Sequence, residues 1–141
     1  MKKFLFVSVI ALFFALSTNA QEIGIRGGNI VGGNVAVDFA WAFKAGRLHS
    51  DLSFGNGVGV EVLYDFLYKP IGEGFYFYVG LGAYILIDDP FKFGIPAEGG
   101  VEYRFGSIPI AIGIDWRPAF TIIDNTDFNW DRFGINARFV F

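Results

Sequence analysis

Apolar side chains alternate with polar or small ones along most of this chain, at a period of two. The final twelve residues show it most plainly. Phe133, Ile135, Ala137, Phe139 and Phe141 share one face; Arg132, Gly134, Asn136, Arg138 and Val140 share the other. Turn signals cut the chain into eight such segments: 22–29, 34–43, 47–54, 58–68, 75–87, 93–105, 108–123 and 130–141. Gly55-Asn56-Gly57 between the third and fourth is a strong hairpin signal. A loop at 124–129 leads into the last segment. No helical period persists after residue 20.

The two faces differ in chemistry. One carries Val35, Val37, Phe39, Trp41 and Phe43, then Val58, Val60, Val62, Tyr64, Phe66 and Tyr68, and later Ile110, Ile112, Ile114, Trp116 and Phe120. The other carries Asp38, Arg47, His49, Asp51, Glu61, Asp65, Glu98, Glu102, Arg104, Asp115 and Arg117, interleaved with Gly and Ala. A soluble lipocalin-type barrel would turn the apolar face inward. Three features favour the opposite. All six Arg after residue 20 sit in the strand segments, whereas Lys44, Lys69 and Lys92 sit at turns, and Arg suits enclosed ion-pair networks. Large charged and very small residues share the polar face, as a narrow interior requires. The apolar face grades into aromatics at the strand ends. Trp41, Phe43, Tyr68, Phe139 and Phe141 fall at one end and Trp130 nearer the other; with Trp116 these are the expected membrane-interface aromatics.

The expected fold is therefore all-β: an eight-stranded antiparallel up-and-down transmembrane β-barrel over residues 21–141. Composition agrees. Lys2 and Lys3, the apolar stretch 4–16 and Ala20 before Gln21 read as a cleavable signal peptide over residues 1–20. The longest apolar run after it, 75–87, is too short for a spanning helix, which needs roughly 20 residues. A membrane span would have to be made of strands. Without Lys2 and Lys3, nine basic residues face fourteen acidic ones, so nucleic acid is not an expected partner. There is no Cys, hence no disulfide and no Cys-based metal site.

On this reading Arg26, Asp38, Arg47, His49, Asp51, Glu61, Asp65, Glu98, Glu102, Arg104, Asp115, Arg117, Arg132 and Arg138 form a charge network in the lumen. Such charges persist in a narrow tube only when paired and hydrogen-bonded. The hairpin at Asn56 places Arg47 opposite Asp65 and Asp51 opposite Glu61. The same reasoning at the other turns puts Arg26 near Asp38 and Asp115 near Arg138. Asp51 and Glu61 would favour one keeping a proton, unless His49, Arg26 or Arg47 reaches between them. Tyr76, Tyr78 and Tyr84 share the lumen face with Gly80 and Gly82.

Candidate chemistry is thin. His49 is the single His, but in Leu48-His49-Ser50-Asp51 a strand turns Ser50 away from His49. Glu98 with Glu102, and Glu61 with Asp65, are spaced about 13 Å apart along a strand, far for a general acid/base pair. No catalytic residue, metal site or cofactor is expected. The turns at 30–33, 55–57, 87–92 and 124–129 are too short for a large binding or lidded loop.

The run Ile108-Pro-Ile-Ala-Ile-Gly-Ile-Asp115-Trp-Arg-Pro118 and the ending Arg138-Phe-Val-Phe141 resemble small OmpX/OmpA-type outer-membrane barrels, and the likeness spans the chain after residue 20. That resemblance implies a place in the bacterial outer membrane, contact with outer-membrane lipids, monomeric barrels, and recognition of the last strand, ending in Phe141, by the barrel assembly machinery. It implies no shared chemistry. The expected role is structural, in the envelope or in surface contact; the alternatives are a narrow channel for small solutes or protons, and a lipid-modifying enzyme using His49.

Overall fold

The structure is a computed structural model, and it describes residues 21–141. The expected signal peptide lies outside the described residues. Ten strands follow one another: β1 (Gln21–Ile30), β2 (Gly33–Phe43), β3 (Gly46–Gly55), β4 (Gly57–Pro70), β5 (Phe75–Ile87), β6 (Lys92–Arg104), β7 (Ile110–Trp116), β8 (Ala119–Ile123), β9 (Asp127–Asn129) and β10 (Phe133–Val140). Each pairs antiparallel with its neighbours. β5 pairs with β6, and β1 pairs with β10 from Glu22↔Val140 to Gly28↔Gly134. The sheet therefore closes on itself, which leaves its backbone groups no continuous open edge.

Ten strands make eight staves. β7 and β8 are two halves of one stave, interrupted at Arg117-Pro118; β9 and β10 are halves of the next, interrupted at 130–132. The two interruptions face each other and are bonded together, the Arg117 amide donating to the Arg132 carbonyl at 2.8 Å; the Pro118 carbonyl accepts from Ala97 of β6 at 2.8 Å. Pro118 has no amide proton for a ladder, so a break here costs the sheet little. Two sequence expectations change accordingly. The segment 108–123 is not one unbroken strand, and the loop at 124–129 is shorter than read, because β9 pairs back onto β8 through Thr121↔Asp127. The turn is made by Asp124 (φ 64°) and Asn125 (φ 62°), residue types that tolerate the left-handed region.

The β3–β4 hairpin has the register that its Gly-Asn-Gly turn predicts, with Arg47↔Asp65, Asp51↔Glu61 and Gly55↔Gly57 as partners. A bulge in β4 then shifts the pairing with β5: Asp65 opposes Gly80, but Leu67 opposes Val79. Phe66 and Leu67 share the outer face, and every later residue of β4 reverses direction.

Side chains sort by face in the reverse of a water-soluble domain. Among the described residues, seventeen polar or charged side chains are buried inside, against eight apolar ones. Thirty large apolar side chains, from Ile25 to Phe141, are exposed on the outside and rims. The core of this molecule is its polar lumen.

Candidate functional site

Among the described residues, chemistry-bearing side chains converge in the lumen. Strand alternation aims them inward, and small neighbours leave room for them. A Cβ at Gly134 would stand 2.6 Å from the Arg26 guanidinium carbon, and one at Gly80 would stand 2.5 Å from Asp65 Oδ1.

His49, on β3, is fully buried at the centre. Its Nε2 lies 2.6 Å from Asp38 Oδ1 and its Nδ1 2.8 Å from Glu98 Oε1. Around it run the ion pairs of six guanidinium groups. Arg117 donates to Glu98 through Nε and to both Asp51 and Glu61 through Nη1, the latter at 2.7 Å. Arg132 Nη2 completes Glu61 at 2.7 Å. Arg138 serves three acids at once: Glu22 (2.8 Å), Asp38 (2.9 Å) and Glu102 (3.0 Å). Arg47 bonds Asp65 (2.9 Å) and Glu102 (2.6 Å), with its guanidinium 4.6 Å from the Tyr68 ring centre and 4.5 Å from that of Tyr78. Arg26 holds Asp115 through two nitrogens, at 2.9 and 2.5 Å, and Asn136 adds a third donor to that acid at 2.9 Å. Arg104, nearest the rim and a quarter exposed, joins Glu22 at 2.5 Å and the Tyr68 hydroxyl at 2.9 Å.

All fourteen charged residues named from the sequence thus stand in the lumen, in one connected web. Two pairings are corrected. Arg26 reaches Asp115 rather than Asp38, and Arg138 reaches Asp38 rather than Asp115. The register explains both: Asp38 sits opposite Gly24 and Asp115 opposite Gly134, so each expected partner is displaced along its strand, and the closed ring supplies a nearer one. The carboxylates Asp51 and Glu61 do face each other, and the cation that binds both is Arg117, with Arg26 3.9 Å from Asp51. Tyr68 is also corrected. The β4 bulge turns it inward, so it is a lumen residue and not a membrane-interface aromatic. Trp41, Phe43, Phe139 and Phe141 stay off the lumen face near the rims, whereas Trp116 lies half-way along its stave, opposite Gly99 of β6 and Phe133 of β10, and its indole donates to the carbonyl of Trp130, which therefore sits beside it and not at a rim. Glu22 was missed; its parity with Gly24 and Arg26 was the available signal. Leu63, fully buried between Glu61 and Asp65, was missed as well.

Two groups of potential ligand atoms lie within 4.8 Å of one another: Asp38, His49 and Asp51; and His49, Asp65 and Glu98. Both share His49, whose nitrogens are already engaged, and Arg117 and Arg138 come within 3.2 Å of His49 Nε2. An added metal cation would meet those positive charges. Ser50 points to the outer face, away from His49. At the rim that carries the β1–β2, β3–β4, β5–β6 and β8–β9 turns, a polar cavity of about 350 Å³ is lined by Asn29, Tyr84, Lys92, Thr121, Asp127 and Arg132, among others. It stands above the web, with Arg132 at its edge.

No protein family matches the chain, and neither a curated protein nor a solved structure is significantly similar to it.

Proposed function

We propose that this protein is an integral barrel of a bacterial outer membrane, of the OmpX/OmpA-like kind, with a lumen sealed by ion pairs and a structural or surface-contact role in the envelope. The observation that carries the reading is the inversion of the two faces. Burying seventeen polar side chains while exposing thirty large apolar ones is unfavourable in water, where contiguous apolar surface of this extent drives association. In a bilayer the same arrangement is favourable, and a closed antiparallel sheet satisfies the backbone within it. Outer-membrane lipids are then the principal partner. The strand carrying Phe139 and Phe141 is the candidate contact for the assembly machinery.

The web argues for a plug over a pore. Every charged side chain of the lumen except Arg104 is at most 5% exposed, and eight strands enclose a space that side chains just fill. The enzymatic alternative finds little support, since His49 is shut away from both rims and from the outer face. Fractionation of expressing cells tests the proposal. The protein should sediment with outer membranes, resist alkaline extraction, and migrate differently in unboiled and boiled gel samples. Recovery in the soluble periplasmic fraction would overturn it.

A further inference from the structure

The web has one imbalance. Its eight carboxylates are Glu22, Asp38, Asp51, Glu61, Asp65, Glu98, Glu102 and Asp115; its cations are six Arg and, at most, His49. Both His49 nitrogens face carboxylate oxygens; a doubly protonated imidazolium is the form that donates to both, whereas a neutral ring donates to only one. Seven positive charges then meet eight acids, and one acid must hold a proton for the sealed lumen to be neutral.

The hydrogen bonds show where that proton fits. Arg, Asn or His donors reach fourteen of the sixteen carboxylate oxygens. The two without a donor are Asp51 Oδ1 and Asp65 Oδ1. Each of these aspartates stands beside another acid: Asp51 is the cross-strand partner of Asp38, and Asp65 and Glu98 flank Gly80 from its two sides, with carboxylate oxygens within 4.8 Å in both cases. Asp38 and Glu98 are the two partners of His49. The five groups form one chain, Asp51–Asp38–His49–Glu98–Asp65, with the imidazole at its centre. Along β3, Asp51 lies toward the rim with the polar cavity, and Asp65 opposes Arg47 nearer the other rim.

We propose that this chain is a proton relay, in which one surplus proton passes between Asp51 and Asp65 through His49. With Asp51 protonated, His49 Nδ1–H gives its proton to Glu98, which passes one to Asp65 Oδ1. The imidazole is left neutral, with its proton on Nε2. The Asp51 proton moves to Asp38. The ring then turns over, its bare nitrogen takes the proton from Asp38, and the imidazolium is restored. One proton has moved from Asp51 to Asp65; no other group has changed charge. The groups facing His49 from every adjoining element are Asp38 (β2), Asp65 (β4, 4.0 Å), Tyr78 (β5), Glu98 (β6), Arg117 (the β7–β8 break) and Arg138 (β10). The guanidiniums stay charged throughout and hold the acids in line.

Infrared spectroscopy of aspartate-labelled protein tests the shared proton, and it needs only the folded barrel. The full chain should show one protonated-carboxyl band at neutral pH that shifts in D2O. Asp51→Asn and Asp65→Asn should each keep a band, because the proton settles on the remaining aspartate, and the double variant should lose it. No band in the parent protein, a band abolished by one single variant alone, or a band that survives in the double variant would each overturn the proposal. Should the double variant fail to fold, the parent and the two single variants decide. Transfer itself is read in liposomes with an internal pH dye, on samples whose unboiled gel mobility shows them inserted. Inward proton flux should fall in Asp51→Asn to the level of protein-free liposomes; flux equal to that of the parent chain would overturn the relay. Failure of the parent chain to insert is scored separately by the gel, and speaks against the membrane reading instead.

Discussion

At the scale of single residues, Arg138 shows how the lumen is held. One guanidinium supplies donors to Glu22, Asp38 and Glu102, on three different strands, so its loss strands three buried acids at once. Breaking a buried ion pair by removing one partner costs about 3–5 kcal/mol. Arg138→Ala is expected to destabilise the folded barrel by at least that much in a urea titration, whereas Lys69→Ala, at an exposed position, should change it by less than about 0.5 kcal/mol. Equal effects from the two would show that the web contributes nothing net. Pairs within one tight hairpin, such as Arg47 with Asp65, were legible in the sequence because a two-glycine turn fixes their register. Pairs across the lumen, such as Arg26 with Asp115 or Arg138 with Asp38, were not. They depend on how the sheet closes, and a hairpin rule carries no information about strands that meet only by closure.

At the scale of elements, period-two alternation located every stave, because a strand with one polar and one apolar face writes its orientation into each residue. It failed where one residue is inserted. Phe66 and Leu67 are two apolar residues in succession, which was the available sign of the β4 bulge; beyond it Tyr68 faces inward although simple parity puts it outside. Pro118 was the corresponding sign of the β7–β8 break. The bulge makes a direct prediction. Deleting Phe66 should remove the bulge and join Asp65 to Leu67 in plain alternation, leaving Tyr68 inward and Lys69 outward. The Tyr68 stacking on Arg47 and its bond to Arg104 would be kept. Such a variant is expected to fold about as stably as Phe66→Ala, which keeps the register; a deletion variant far less stable than Phe66→Ala would contradict the assigned bulge. Urea midpoints of the two variants, measured side by side, decide this.

At the scale of the whole molecule, the lumen is a polar core inside an apolar shell. Surface ion pairs weaken as salt screens them, over a distance of about 10 Å at 0.1 M, but pairs sealed from solvent are screened far less. Unfolding free energy should therefore change little between about 0.1 M and about 1 M NaCl. A loss of several kcal/mol would mean that water and ions reach the web. A sealed lumen also admits no hydrated salt ion, so planar bilayers containing the barrel should show no discrete current steps in NaCl; such steps would contradict the plug.

The central claim is that the apolar face meets lipid. Trp41, Trp116 and Trp130 all lie off the lumen face, with Trp41 near a rim, Trp116 half-way along its stave and Trp130 beside it, its carbonyl accepting from the Trp116 indole. The most direct measurement is quenching of their fluorescence, in single-tryptophan variants, by lipids brominated at different depths of the acyl chain. The account expects Trp116 to be quenched best by deep bromines and Trp41 by shallow ones. Fluorescence indifferent to brominated lipid at every depth, from protein that remains dissolved without detergent, would contradict it.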